Sequence, residues 1–182
     1  MTSKPPDLAT LPQGDVRLLD TELAQRLLAA NIPARLACTA ADGTPRVLPI
    51  NFWWNGTEVV MAGFAPSKKA KMLRARPDVA ITIDTNSAPP ETLLIRGRAE
   101  VSEIDGLAPE YAAAMRKGGA DTVADYLTFL TELAPRMERI VVRPNWVGLM
   151  DFRTRFPAGA PDWMTGADGR APHPEHEETT LS

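Results

Sequence analysis

Cysteine and histidine are scarce in this chain of 182 residues, which contains one cysteine and two histidines. With Cys38 alone, no disulfide can form within the chain, and a reducing compartment such as the cytoplasm is the default expectation. His173 and His176 both lie in a Pro- and Glu-rich tail, where disorder is a better expectation than catalysis or metal binding. So few thiol and imidazole groups offer no ligand set for zinc, and we predict no metal site.

Long apolar runs and a strong charge of one sign are also missing. No run approaches the length that spans a membrane, and residues 1–14 are Pro-rich and polar, unlike a signal peptide. The net charge of −3 argues against a general affinity for nucleic acid. We therefore expect a cytoplasmic protein without a membrane or nucleic-acid partner, whose ligand is a small molecule. A hydrophobic content of 44% predicts one globular domain with a substantial core.

The common nucleotide-binding and catalytic motifs are absent as well. The chain contains neither GxGxxG nor GxxxxGK[ST], and its strands and helices do not alternate in the βαβ manner. No Ser/His/Asp set, metal cluster or motif of paired carboxylates is recognisable, so the catalytic residues are unknown at this level. This pattern favours a protein in which a redox cofactor carries the chemistry and the chain supplies orientation.

Short runs of alternating apolar and polar residues dominate the chain and predict about seven antiparallel strands. Turn-forming pairs at Asp42-Gly43, Asn55-Gly56 and Pro144-Asn145 separate several of these strands. The predicted strands cover residues 34–40, 46–54, 57–64, 79–84, 92–103, 137–143 and 146–152. The predicted helices cover residues 20–30, with Asp20 or Thr21 as the cap, the lysine-rich segment after Ser67, residues 106–117, and residues 121–133 with Asp121 as the cap.

The order of these elements predicts a fold that is mainly β with flanking helices, arranged as a small antiparallel barrel. We expect residues 1–18 to form a flexible N-terminal segment and residues 19–157 to form the barrel domain. Residues 158–182 are expected to form a flexible acidic tail. Cys38 is expected to pack as a small apolar residue in the first strand.

Three lysines open the helix after Ser67, where the helix dipole disfavours positive charge. Ser67 can cap the helix, its free backbone N–H groups can face an anion, and Lys68, Lys69 and Lys71 can supply the counter-charge. This combination is typical of a phosphate site. A solvated basic helix face is the alternative interpretation of the same residues.

Two segments carry a resemblance to a known family. They are Asp42-Gly43-Thr44-Pro45-Arg46-Val47-Leu48-Pro49-Ile50 and Ser67-Lys68-Lys69-Ala70-Lys71-Met72-Leu73, the second followed by Arg76-Pro77-Asp78-Val79-Ala80. In order and spacing, and with Arg96-Gly97-Arg98-Ala99-Glu100, they resemble the pyridoxamine 5'-phosphate oxidase-like split β-barrels that bind flavin or deazaflavin. The resemblance covers roughly residues 19–157.

The resemblance implies which residues meet the cofactor. It implies that Arg46, Ser67, Lys68 and Lys69 contact the cofactor phosphate, and that the backbone of Val47, Leu48, Pro49 and Ile50 lies along the isoalloxazine ring. Two further cofactor positions depart from the family pattern, because Asn51 stands where the oxidases have Lys and Gly63 stands where a flavin-contacting Thr is common. The family's substrate-binding Arg and His have no match near Arg153-Thr154-Arg155-Phe156-Pro157, which argues against vitamin B6 synthesis.

The function implied by the resemblance is that of an oxidoreductase that binds FMN noncovalently. Hydride would pass between the flavin and a small organic substrate, in a homodimer with each cofactor between the subunits. One alternative is a reductase that uses the deazaflavin coenzyme F-420, whose longer acidic tail would suit Lys71, Arg74 and Arg76. A second alternative is a carrier or sensor that binds a flavin or haem without turnover.

Overall fold

A computed structural model describes residues 8–119 and 122–166 of the chain. Seven strands form one antiparallel sheet in the order β2-β1-β5-β6-β7-β4-β3. The strands are β1 Ala34–Thr39, β2 Pro45–Ile50, β3 Phe52–Trp54, β4 Val59–Phe64, β5 Asp78–Asp84, β6 Thr92–Asp105 and β7 Arg136–Met150. The helices within the described ranges are α1 Glu22–Ala29, α2 Lys68–Ala75, α3 Pro109–Arg116, α4 Thr122–Leu133 and α5 Asp162–Thr165.

The sheet closes on itself because its two outermost strands are consecutive in the chain. β2 and β3 lie at opposite ends of the strand order, yet only Asn51 separates them. A flat sheet cannot meet that condition, so the strands curl into a barrel. The prediction of a mainly β fold with flanking helices, built on a split β-barrel, is confirmed.

The second predicted strand, residues 46–54, is in fact two strands with different partners. β2 pairs with β1, whereas β3 pairs with β4. The chain changes partner at Asn51, which lies in neither strand. Alternation along residues 46–54 is unbroken, so the sequence has no local signal for this change.

The predicted turn at Pro144-Asn145 is wrong, because β7 runs through both residues. Arg96 of β6 pairs with Trp146, whereas the next residue, Gly97, pairs with Pro144. Asn145 is therefore an extra residue on β7, which makes the irregularity a β-bulge. Bulges are among the few places where a sheet accepts proline, so a turn signal here marks a bulge.

The core lies inside the barrel and under α1. Thr21 caps α1 by accepting a hydrogen bond from the Ala24 amide, as one of the two predicted caps. Cys38 is buried in β1 as expected. The cluster inside the barrel includes Leu36, Phe52, Met61, Leu73, Ile81, Ile83, Leu93, Ile95, Ile140, Val142, Val147 and Leu149.

The N-terminal segment packs against the barrel over its described part, residues 8–18. Leu8–Thr10 and Val16–Asp20 form short 3-10 helices, and Leu11 and Leu18 are buried in the core. The Gly14 amide donates to the Val147 carbonyl at 2.7 Å, which ties the segment to β7.

Some predictions fall outside the described residues. They are the cap at Asp121, residues 1–7, and the part of the tail that contains His173 and His176. Residues 158–166, at the start of the predicted tail, include α5. None of the helices described is both long enough and apolar enough to cross a membrane.

Candidate functional site

A gap opens in the barrel wall between β2 and β4, beyond the short stretch in which β3 pairs with β4. Phe52 pairs with Met61, Trp53 with Val60 and Trp54 with Val59. If this register continued along the chain, Ile50 would face Gly63 and Arg46 would face Ser67. In the described sheet β2 instead pairs only with β1, and residues 62–64 of β4 pair only with β7. We call the gap between these two strand edges the split.

The β2 rim of the split contains the predicted ring-contacting residues. Val47 and Pro49 are exposed, with 63% of Val47 accessible, whereas Leu48 and Ile50 are half-buried. Pro45 and Pro49 lack an N–H, and proline on an edge strand turns its nitrogen away from the neighbouring strand. The Val47 amide is therefore the donor that β2 can present to the split between the two prolines. The rim offers carbonyl groups and one N–H to a ligand, and it resists pairing with a further strand.

The other rim leads directly into α2, which begins as predicted. Ser67 is its N-cap and accepts a hydrogen bond from the Ala70 amide. Lys68 and Lys71 are exposed, and Lys69 is half-buried. The helix has no acidic residue in its first turn. The basic N-terminus expected from the sequence is thus present at the end of β4.

A buried carboxylate that the sequence reasoning missed occupies this helix terminus. Glu138 of β7 is 1% exposed, and its Oε2 accepts from the Ser67 amide at 3.0 Å and from the Ser67 Oγ at 2.6 Å. Its Oε1 accepts from Arg74 at 2.9 Å. Burial raises the pKa of Glu138, but the hydrogen bonds from Ser67 and Arg74 outweigh it and hold the pKa below the ordinary value. Glu138 therefore stays charged at neutral pH.

The sequence contained one signal for Glu138. Alternation along β7 places it on the inward face with Ile140 and Val142, where a charge must find a partner. The inward position of Glu138 in the sequence pattern thus indicates that this end of the barrel contains polar partners for it.

Gly63 makes room for Lys69 beside this carboxylate. Gly63 pairs with Glu138 across β4 and β7, and a Cβ added to Gly63 would meet the Lys69 Nζ at 3.0 Å. Burial lowers the pKa of Lys69, and the charge of Glu138 opposes that shift. The absence of a side chain at Gly63 therefore leaves space that the ammonium group of Lys69 occupies.

A cleft of about 460 Å³ lies in front of these groups, and we call it the α2 cleft. Arg74 spans its two carboxylates, at 2.9 Å from Glu138 and 3.7 Å from Glu103. For Lys68 and Lys71, no ion pair is found among the described residues. The cleft is lined by Pro66, Ser67, Lys68, Lys71, Arg74, Glu103 and Glu138.

Arg46 is held within its own hairpin. Its guanidinium donates to the Pro45 carbonyl at 2.9 Å, to the Thr44 hydroxyl and to Asp42 at 3.3 Å. The contacts described for Ser67 and Lys69 lie on α2, β4 and β7 instead. The structure brings Gly63, Ser67, Lys68 and Lys69 together. Arg46 has no described contact with these residues, and its position opposite them follows only from extending the β3–β4 register across the split.

The remaining predicted positions have other contacts. The Asn51 Nδ2 donates to the Met115 Sδ at 3.1 Å, which links the point where the split begins to α3. Arg76 donates to the carbonyls of Ala40 and Ala41 at 2.9 and 3.2 Å. Within the described ranges, no group of three or more His, Cys, Asp or Glu residues is arranged to hold a metal ion.

Comparisons with known structures agree on the fold. A conserved hypothetical protein from Mycobacterium tuberculosis has a TM-score of 0.57 at 14% identity, covering 82% of this chain and 94% of its own. General Stress Protein 26 from Bacillus anthracis has a TM-score of 0.54 at 15% identity, covering 75% and 95%. The haem storage protein HutZ from Vibrio cholerae has a TM-score of 0.50 at 16% identity, covering 68% and 89%. These identities show similarity of fold alone.

The sequence comparisons are more specific. No curated protein matches the chain. The sequence model of the pyridoxamine 5'-phosphate oxidase family matches residues 20–151, which span the barrel from α1 to the end of β7 and include both rims of the split. The chain therefore belongs to the pyridoxamine 5'-phosphate oxidase family.

Proposed function

We propose that this protein binds a flavin-type cofactor, FMN, noncovalently in the split and acts as a cytoplasmic flavin-dependent oxidoreductase. The observation that carries the proposal is the split itself, an opening between two strand edges with the basic α2 cleft at one end. A planar ring with a phosphorylated side chain matches that combination. Family membership supports the same assignment.

The β2 rim suits the ring of the cofactor. Its exposed backbone carbonyls and the Val47 amide complement the polar edge of an isoalloxazine, which has both donors and acceptors. The exposed Val47 side chain offers an apolar surface beside it. Because Pro45 and Pro49 prevent pairing with another strand, this edge stays available for a ligand. In the proposal, Val47, Leu48, Pro49 and Ile50 orient the ring.

The α2 cleft suits the phosphate. Arg74 and Lys69 lie beside the carboxylates of the cleft, so Lys68 and Lys71 remain as cations without a described ion pair. Two lysines can balance a phosphate dianion. Arg46 would add a guanidinium from the opposite rim if it left its hairpin contacts with Asp42 and Thr44.

The chemistry in this proposal is hydride transfer, which the flavin supplies when bound. The chain's residues bind and orient the ring and exclude water from one side of it. We also propose a homodimer in which the second subunit covers the open side of the split, because the exposed Val47 would otherwise stay in water. A small organic substrate would then stack on the ring.

FMN is favoured over the deazaflavin coenzyme by the partners of three basic residues. The longer acidic tail of coenzyme F-420 would use Lys71, Arg74 and Arg76. Arg74 contacts Glu138 and Glu103, and Arg76 donates to backbone carbonyls, which leaves Lys71 available. The basic groups that remain match one phosphate better than a longer acidic tail.

The test is the absorption spectrum of the purified protein and of its heat-released supernatant, followed by titration of the cofactor-free protein with FMN. FMN that is found bound, or that rebinds to the cofactor-free protein, supports the proposal. The spectrum of a deazaflavin or of haem would instead identify that compound as the cofactor and overturn the assignment of FMN. Anaerobic reduction of the loaded protein by NADH or NADPH, and reoxidation by candidate substrates, separates an enzyme from a carrier. Failure to bind any of the three compounds would end the proposal.

A further inference from the structure

The N-terminus of α2 already holds an anion that belongs to the protein. The Glu138 carboxylate accepts from the Ser67 amide and hydroxyl at 3.0 and 2.6 Å and from Arg74 at 2.9 Å. These are the donor types that recognise phosphate, namely a helix-terminal N–H, a hydroxyl and a guanidinium. Glu138 therefore engages donors of the kind that a ligand phosphate would use.

The position of Glu138 in the sheet makes this occupancy persistent. Glu138 lies between Gly63 of β4 and Glu103 of β6 in the strand register, on the central strand of the three. Its side chain is enclosed by the protein, with 1% of the residue exposed, and three hydrogen bonds hold the carboxylate there. Glu103, in contrast, has a side chain that is 48% exposed and is shared between Arg74 and Arg136. The two carboxylates of the α2 cleft thus differ in how firmly they are held.

We propose that Glu138 is an internal competitor that limits how tightly the α2 cleft binds a phosphate group. The inference rests on the proposed function, because it concerns the same phosphate site. In the wild-type protein a phosphate meets Lys68 and Lys71 while Glu138 repels it and keeps Ser67 and Arg74 engaged. This arrangement keeps affinity for the cofactor moderate and makes the charge of one residue its main determinant.

A purely structural role for Glu138 gives the opposite expectation. If Glu138 served only to hold Ser67, Lys69 and Arg74 in position for a ligand, its replacement would disorder those groups and weaken phosphate binding. The sign of the change in affinity therefore separates the two roles.

The experiment uses inorganic phosphate as the probe, titrated calorimetrically into the full-length protein at constant ionic strength. Glu138→Gln keeps the size and a hydrogen-bond acceptor while it removes the charge, and we expect phosphate to bind about tenfold more tightly. Glu103→Gln is the matched change within the cleft, with a smaller expected gain because its carboxylate is half exposed. Glu58→Gln, whose partner is Arg143, has no contact with the cleft and should leave phosphate affinity unchanged.

Three results would overturn the inference. They are unchanged or weaker phosphate binding by Glu138→Gln, an equal gain in Glu103→Gln, or no phosphate binding by either variant. Near-ultraviolet circular dichroism checks the fold of each variant. If Glu138→Gln does not fold, Glu138→Met replaces it, because methionine also removes the charge and has a side chain of similar length, and an affinity above wild type is expected. Because phosphate is the probe, a protein that fails to bind any flavin would sink the proposed function without deciding this test.

Discussion

The β6–β7 side of the barrel and the split side differ in how completely their strands are paired. β6 and β7 pair from Thr92–Met150 to Asp105–Arg136, and the inward residues near Ile95 are fully buried. On the split side, β2 has one neighbour and exposes Val47. We therefore expect the paired side to contribute more to stability than the rim, whose residues are then free to serve a ligand.

The two sides also differ in what faces inward. Next to Ile95 the inward positions are aliphatic. At the end of β7 beside the split, the inward groups are the carboxylate of Glu138 and, over Gly63, the ammonium of Lys69, and we call this end of the barrel the polar mouth. Charges placed inside a barrel require partners, and each of these has one. The polar mouth is therefore a second structural unit of the same sheet, built from ion pairs and hydrogen bonds.

The largest expected difference is in the free energy of unfolding. Ile95→Ala removes a fully buried side chain in the paired half and should cost about 2–5 kcal/mol. Val47→Ala on the exposed rim should change the stability of the subunit by less than about 0.5 kcal/mol, measured without cofactor and at a protein concentration low enough to dissociate the proposed homodimer. Urea unfolding of both variants measures the contrast. A cost for Val47→Ala close to that of Ile95→Ala would show that the rim packs against something in solution and would break the comparison.

A second contrast uses one glycine from each side. A Cβ at Gly97 would come within 2.4 Å of the Arg143 backbone oxygen at the bulge, whereas at Gly63 it would meet the flexible Lys69 Nζ at 3.0 Å. Gly97→Ala should therefore cost about 1–3 kcal/mol, because the backbone itself must move. Gly63→Ala should cost less, since a lysine tip can shift. Thermal unfolding compares the stabilities of the two variants. An equal loss of stability in both would mean that the side chain of Lys69 yields no more easily than the strand backbone at the bulge.

Local features of the fold were predictable from the sequence. The cap at Ser67 and the alternation that buries Leu93 and Ile95 depend on neighbouring residues, and the structure confirms both. The order of elements was sufficient to suggest a barrel.

Features that depend on pairing across the sheet were not predictable in the same way. The change of partner at Asn51 leaves no mark in its own segment, because distant strands set the register. Pro144-Asn145 does mark an irregularity, but the pair alone does not distinguish a turn from a bulge. Alternation along β7 places Glu138 on the inward face, but its partners Ser67 and Arg74 are about seventy residues away in sequence. The sequence therefore indicates a basic helix start and an inward carboxylate, but not that the two meet.

Cofactor binding should depend on the positive charge of Lys68. Lys68→Glu should weaken FMN binding by about 10- to 100-fold, because it replaces a counter-charge with repulsion in the α2 cleft. Arg98→Glu reverses the same charge on the exposed face of β6, where Arg98 pairs with Asp78, and should leave FMN affinity nearly unchanged. Fluorescence titration measures both variants, and thermal unfolding should show that both keep the barrel. Equal weakening would mean that overall charge, rather than the cleft, governs binding.

The smallest expected effect distinguishes two half-buried lysines. Burial lowers the pKa of both, to about 8 for Lys117, but Glu138 offsets the shift for Lys69. The Lys117 Nζ donates to the Leu28 carbonyl at 2.7 Å and lies 4.0 Å from the centre of the Phe52 ring. The ring favours the charged form, which limits the effect to the order of 1 kcal/mol.

The sign for Lys117 follows from proton binding. Between pH 8 and the ordinary lysine value of 10.5, the unfolded chain holds a proton on Lys117 that the folded protein has released. The free energy of unfolding should therefore rise across this interval because of Lys117, and the rise should be smaller in Lys117→Met. Urea unfolding at several pH values measures the slope, with Lys69→Met as the comparison, in which the slope should change less. An equal flattening in the two variants would show that Glu138 does not hold the charge on Lys69, and the polar mouth would lose its distinction from the rest of the barrel.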